Sequence, residues 1–162
     1  MKKIIPILII AICVSSCTKP KPTESPFVLP AGVTYETEGD IEFHAFHWGS
    51  NATAAVFMIY PHPAGLNYAM VDKMASDSIP TLEAAMREVE GVDNLNTETH
   101  DFKAGDFTGK VINCTVNMAD GKKVYQAMHI LWDGTRLWQG QLTGTTENDL
   151  EMGERILNSK TK

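Results

Sequence analysis

The feature that most restricts this chain is a pair of Asp-Gly turns set between alternating apolar runs. Phe107–Met118 places Ile112, Cys114, Val116 and Met118 on one face and Asn113, Thr115 and Asn117 on the other, and Asp120-Gly121 follows. Val124, Gln126, Met128, Ile130 and Trp132 then share a face, and Asp133-Gly134 turns the chain again into Arg136–Leu142. Asp-Gly suits the positive φ angles of tight hairpin loops, and a period of two is the pattern of a strand with two different faces. With Leu95–Phe102 ahead of it, the segment predicts an antiparallel four-stranded meander.

Upstream, Val33–Thr37 and Ile41–Trp48 read as strands around Glu38-Gly39-Asp40, and Ala52–Tyr60 is a near-continuous apolar run suited to a strand covered on both sides. Pro61-His62-Pro63-Ala64-Gly65 ends it. Leu66, Met70 and Met74 recur at helical spacing, and Leu82, Ala85, Met86 and Val89 continue it up to Gly91. Ser78 as cap and Pro80 in a first turn predict two helices, or one broken before Pro80. Thr146 with Asp149 resembles a capping box for a closing helix striped by Leu150, Gly153, Ile156 and Leu157. Strands, helices, meander and helix in that order indicate the α+β class, an antiparallel sheet with helices packed on it. About 130 residues can bury roughly two-thirds of their unfolded surface, so the core needs neither metal nor disulfide.

The N-terminus reads as an address. Lys2 and Lys3 precede Ile4–Val14, an apolar run broken by Pro6. As a helix it would rise roughly 16 Å, about half a bilayer's hydrocarbon thickness, which matches a secretory signal rather than a span. Val14-Ser15-Ser16-Cys17 resembles the lipobox of bacterial lipoproteins. That resemblance implies a diacylglyceryl thioether on Cys17 and, in many bacteria, a third, amide-linked chain, a combination that holds a protein firmly to a membrane. Thr18, where inner-membrane lipoproteins often carry Asp, leans toward the outer membrane, facing the periplasm. Residues 1–16 then form the signal peptide, residues 17–32 the lipidated Cys and a linker with Pro20, Pro22, Pro26 and Pro30, and residues 33–160 one α+β domain. Thirteen linker residues in polyproline geometry reach roughly 40 Å.

Charge and cysteine content narrow the function. Of 14 basic residues, Lys2 and Lys3 leave with the signal, so 12 face 20 acidic ones, near −8 for the mature chain. Such a body lacks the positive surface a nucleic-acid partner requires and is repelled by anionic headgroups. With Cys13 lost and Cys17 acylated, Cys114 has no disulfide partner within the chain.

The element order resembles the PsbP/Mog1 type of α/β/α sandwich. It is carried by the strands ending at Ala52–Tyr60, the helical Leu66–Val89, the turns at Asp120-Gly121 and Asp133-Gly134, and the closing Glu154-Arg155-Ile156-Leu157-Asn158-Ser159. The last string is similar to the family's ending, a helix running into Ser-Phe, with Lys160 in place of the Phe. The family's Pro-x-x-Trp near the start is not evident. The resemblance spans about Val33 to Ser159 and implies accessory and partner-binding roles rather than one chemistry.

No catalytic constellation stands out. His44 and His47, three apart on a strand, point to opposite faces; a site joining either to His100 or His129 is geometrically allowed but carries no metal-ligand spacing. Cys114, flanked by Ile112 and Val116, reads as a small buried hydrophobe. Neither a phosphate-binding Gly-Lys-Ser/Thr loop nor a Gly-x-Ser-x-Gly elbow is present. Glu36, Glu38, Asp40 and Glu42 read as a solvated hairpin, with weak calcium binding as the alternative. The expectation is a non-enzymatic envelope lipoprotein with no cofactor, held to the membrane through Cys17 and binding a protein partner. Trp48, Tyr60, Tyr125, Trp132 and Trp138 are the candidate contact surface. The alternative is a small-ligand binder with a Trp- and Met-lined pocket between sheet and helices; a hydrolase ranks third.

Overall fold

In a computed structural model, which describes residues 25–37, 42–49 and 54–160, seven strands form one antiparallel sheet. They are β1 (Thr34–Thr37), β2 (His44–Trp48), β3 (Ala55–Pro61), β4 (Val92–Ala104), β5 (Phe107–Met118), β6 (Lys123–Trp132) and β7 (Leu137–Gly144). A 3-10 turn at Tyr68–Met70 leads into helix α1 (Val71–Arg87), and helix α2 (Glu147–Asn158) follows β7. The sheet order is β1-β2-β3-β7-β6-β5-β4, so the expected meander forms one side and the N-terminal strands continue it through β3 against β7. The Glu38-Gly39-Asp40 turn, like the signal and Cys17, lies outside the described residues.

Turn chemistry sets the meander's register. Gly121 and Gly134 adopt φ of 83° and 94°, which a side chain would strain. Asp133 organises its turn: Oδ1 accepts hydrogen bonds from the Thr135 and Arg136 backbone N–H groups at 2.9 and 2.8 Å and from the Thr135 hydroxyl at 2.8 Å. The sheet is covered on both sides, and neighbouring residues of one strand enter opposite layers. Val111, Leu131 and Trp138 join Phe46, Phe57, Phe107 and Leu142 beneath Ile156 and Leu157 of α2. Ile112, Ile130 and Leu137 join Cys114, Val116 and Met128 beneath Val71, Ala75 and Leu82 of α1. At the start of α2, the Thr146 N–H and hydroxyl both donate to Asp149 Oδ2 at 2.9 Å, as the Thr146/Asp149 spacing anticipates.

Two boundaries differ from the sequence reading. α1 is one 17-residue helix running through Pro80, not two. Pro80 supplies no N–H to the Ser76 carbonyl four residues back, but Val71 and Ala75 before it and Leu82 after it are buried against the same side of the sheet, which holds both halves in one helix. Pro80 itself is exposed, so Pro80→Ala should raise stability by about 1–2 kcal/mol in urea titrations, the regained helix hydrogen bond outweighing the freer unfolded chain. A lowered midpoint would refute that account.

The packed domain also begins before Val33. Phe27, inside the proline-rich segment, is 4% exposed and sits among Phe46 and the α2-side core. It bridges Lys160, and the Val28 N–H donates to the Ser159 carbonyl at 3.3 Å. Phe27-Val28-Leu29 between Pro26 and Pro30 reads as spacer because the contacts that hold Phe27 come from the far end of the chain.

Candidate functional site

The two helices cover the sheet unequally. α1 packs chiefly on β4, β5 and β6. On its side, β2, β3 and β7 carry a continuous patch fixed by register: Tyr60 lies opposite Gln139, Met58 opposite Gln141, and Val56 opposite both His47 and Thr143. All seven residues are half-buried, and none is an acid, Lys or Arg. Burial holds the Tyr60 phenol above its usual pKa, so it remains a neutral hydrogen-bonding group around pH 7. Where the patch meets α1, Met74, Asp77, Ser78, Thr81, Met128, Gln139 and Gln141 line an open groove of about 310 Å³.

The five aromatics expected to make one contact surface divide between the two sides. Trp48, Tyr125 and Trp138 face α2 and are buried, with their polar atoms already engaged. Trp48 Nε1 donates to Asp149 Oδ1 at 2.8 Å, Trp138 Nε1 to Asp133 Oδ2 at 2.7 Å, and the Tyr125 hydroxyl to Glu147 Oε1 at 3.3 Å. Trp132 packs, half-buried, with the core beneath α1. Tyr60 is the member of the group in the open patch. The physical reason is the pleat: odd-numbered Tyr125 on β6 and even-numbered Trp132 on the same strand must point opposite ways. None of the three Trp lines the groove beside α1, although Met74 and Met128 do.

A second hollow, about 280 Å³, lies on the α2 side near that helix's first turn, between Asn96, Glu98, Asn113, Thr115, Tyr125, Glu147 and Leu150. It is the polar end of strands β4 and β5, with Asn96 Nδ2 donating to Glu98 Oε1 at 3.0 Å.

The remaining titratable groups are set apart by the sheet itself. His44, His100 and His129 fall on the α2 side, Cys114 on the α1 side. Burial pushes the Cys114 thiol up, the reverse of what a nucleophile needs. His44 Nδ1 is 2.8 Å from the Tyr35 hydroxyl, and desolvation lowers its pKa. His129 is 2% exposed, its ring 5.1 Å from that of Phe57 and 5.6 Å from that of Phe102, and its Nδ1 has no hydrogen-bond partner. Desolvation, with the neighbouring His100, brings it down to about 3. Glu42, one of the acidic hairpin residues, forms a two-pronged ion pair with Arg136. Among the described residues no three His, Cys, Asp or Glu side chains group as metal ligands.

Sequence reasoning placed Asp133 in its turn and Lys160 where the resembled family has a Phe, and gave neither a further role. The Lys160 ammonium lies 4.7 Å from the Phe107 ring centroid and 5.3 Å from that of Trp138, and donates to Asp133 Oδ2 at 3.3 Å. Asp133 is held well below the usual carboxylate range: burial opposes this, but the hydrogen bonds from Arg136, Thr135 and Trp138 win. The signal for the turn half of this network is the Asp-Gly-Thr string; nothing local announces its ties to Trp138 and Lys160. No protein-family model and no curated protein matches the chain.

Proposed function

We propose that this chain is a cell-envelope lipoprotein anchored through acylated Cys17, directed to the outer membrane facing the periplasm, and that its domain is a non-enzymatic, PsbP/Mog1-like module that docks a protein partner. The observation that supports the docking role best is the half-sheet beside α1, where Val56, Met58 and Tyr60 stand in a patch that itself holds no Asp, Glu, Lys or Arg, with Glu36, 3.9 Å from His47, and Asp77 of the groove at its edges. Such a patch lets a partner approach with little charge desolvation and supplies an apolar centre with amide hydrogen bonding from Gln139 and Gln141. The PsbP/Mog1 reading is supported by the element order and by one helix packed on each side of the sheet. The anchor reading rests on Lys2-Lys3, Ile4–Val14 and Val14-Ser15-Ser16-Cys17.

Affinity capture from crosslinked envelopes tests both parts. The wild-type chain is expected to bring down a partner that Met58→Asp/Tyr60→Asp loses by tenfold or more, at unchanged thermal stability. Recovery of the bait alone, or an equal yield from the double variant, rules out docking on this patch. Cys17→Ser is expected to move the protein to the soluble fraction, and its retention on membranes rules out the anchor.

A further inference from the structure

The two edges of the sheet are unlike. β1 at one side has 4 residues, and β4 at the other has 13. Edge strands are ordinarily blunted by short length, proline, a bulge or an overlying element. β4 has its register shift at the very start, between Val92 and Asn94, and then pairs with β5 without interruption from Asn94 to Ala104. Glu98, Thr99, His100 and Asp101 are all exposed although successive side chains point to opposite faces, so neither α1 nor α2 overhangs the middle of the strand. Among the described residues no segment pairs with its outer side. The turn that ends β4 decides which backbone groups are free. Gly105-Asp106 joins the paired Ala104 and Phe107, with Gly105 at φ 57° and Asp106 at negative φ, the type II′ pattern in which the flanking residues exchange hydrogen bonds. Alternation from there turns the even-numbered residues toward β5 and aims the N–H and C=O groups of Leu95, Thr97, Thr99, Asp101 and Lys103 outward.

We propose that β4 is a self-association edge: two copies of this chain pair antiparallel through β4 about a two-fold axis at Thr99, joining their sheets into one. The occupant follows from the strand's own sequence. A second β4 on this edge must set outward-facing odd residues against odd ones, so the axis passes through a residue. Centred on Thr97, the pairing runs into the bulge and brings Asp93 against Asp101 of the second copy; centred on Glu98, that carboxylate meets itself. Thr99 is the midpoint of the regular stretch Asn94–Ala104. Centred there, Glu98 meets His100 on both sides of the axis, Asp101 meets Thr97, Lys103 meets Leu95, and no like charges stand opposite one another. The Thr97 hydroxyl can donate to the Asp101 carboxylate, and the Lys103 stem can cover Leu95. This ladder adds about ten backbone hydrogen bonds between groups that otherwise face water. β5 and β6 separate the edge from the patch on β2, β3 and β7, so the dimer leaves that patch open and does not depend on the docking reading.

Sedimentation equilibrium of the full-length chain, as the cell processes it, in density-matched detergent tests the pairing. Salt at about 0.15 M screens the repulsion of two acidic bodies beyond about 8 Å. The wild type is expected to dimerise with a dissociation constant below about 100 μM, in keeping with a small interface. His100→Glu sets carboxylate against carboxylate on both sides of the axis and should raise that constant at least tenfold. Glu98→Lys/His100→Glu restores opposite charges in this register alone and should bring it back to within about threefold of the wild type. Thr99→Pro removes an N–H that β5 does not use, so it should weaken the dimer at least tenfold while the monomer keeps its fold; if that variant does not fold, the charge pair decides. A wild-type chain that stays monomeric up to about 0.5 mM overturns the proposal and leaves the edge to an extended segment of another protein. A dimer indifferent to His100→Glu, or a double variant no tighter than the single one, overturns it as well. So does a dimer lost only with Met58→Asp/Tyr60→Asp, which would place self-association on the patch instead.

Discussion

Trp138→Ala is expected to cost roughly 3–5 kcal/mol and to lower the melting temperature by about 10–20 °C. Trp138 is 1% exposed, and the cavity left by its indole cannot close because Phe107, His44 and Leu131 are fixed on three different strands. The loss is not only apolar. Asp133 would lose the donor at 2.7 Å on Oδ2, and the Arg136 guanidinium, 4.8 Å from the ring centroid, and the Lys160 ammonium would both lose an aromatic face. Trp138→Phe should recover more than half of the loss, since it restores ring volume but not the N–H. Trp132→Ala, at a half-buried position beneath α1, should cost clearly less. Calorimetry that ranks Trp132→Ala as the more damaging change would show that this cluster does not dominate the core.

The second large effect is acid destabilisation through His129. Above about pH 6.5 the imidazole is neutral in both folded and unfolded chains, so its burial carries no protonation cost. Below that value the unfolded chain takes up a proton that the folded chain refuses until about pH 3. Folding stability should therefore fall by about 1.4 kcal/mol per pH unit across that window, on the order of 5 kcal/mol in all. His44, also lowered by burial, adds to the same slope. Asp133 and Asp149, both held below the usual carboxylate value, contribute stability that is lost only as pH falls under about 4, so the two processes separate. His129→Leu, of similar volume and without the unpartnered Nδ1, should flatten the slope between pH 6 and 4 and add about 1 kcal/mol at pH 7. Urea midpoints at pH 7, 5.5 and 4.5 measure it; an unchanged slope in the variant would place the acid sensitivity elsewhere.

What the sequence discloses is the part of the fold held by local chemistry. Alternation in Phe107–Met118, the two Asp-Gly turns and the Thr146/Asp149 pair act over a few residues, and each lies where the pattern puts it. What it conceals is held by distant partners. Pro80 reads as a helix start because its ring cannot reveal that Ala75 and Leu82 share a floor on the sheet. Phe27 reads as spacer because its holding partners, the Lys160 bridge and the core beneath α2, lie far along the chain. The contact aromatics illustrate the same limit: period two places Tyr125 and Trp132 on opposite sides, but which side α2 would close, and so that Trp48 and Trp138 would be sealed while Tyr60 stayed accessible, depends on packing between elements far apart in the chain.

The ladder joining β3 to β7 has a kinetic consequence. The β4–β7 hairpins close over short turns and can form as soon as their residues are present, whereas β3 must wait for the last strand, Pro61 finding Trp138 across the whole intervening chain. Long-range pairing of this kind is slow. While it is pending, the edges of β3 and β7 are unsatisfied and prone to stray pairing, so a folding molecule is most vulnerable to aggregation and proteolysis just before that late closure.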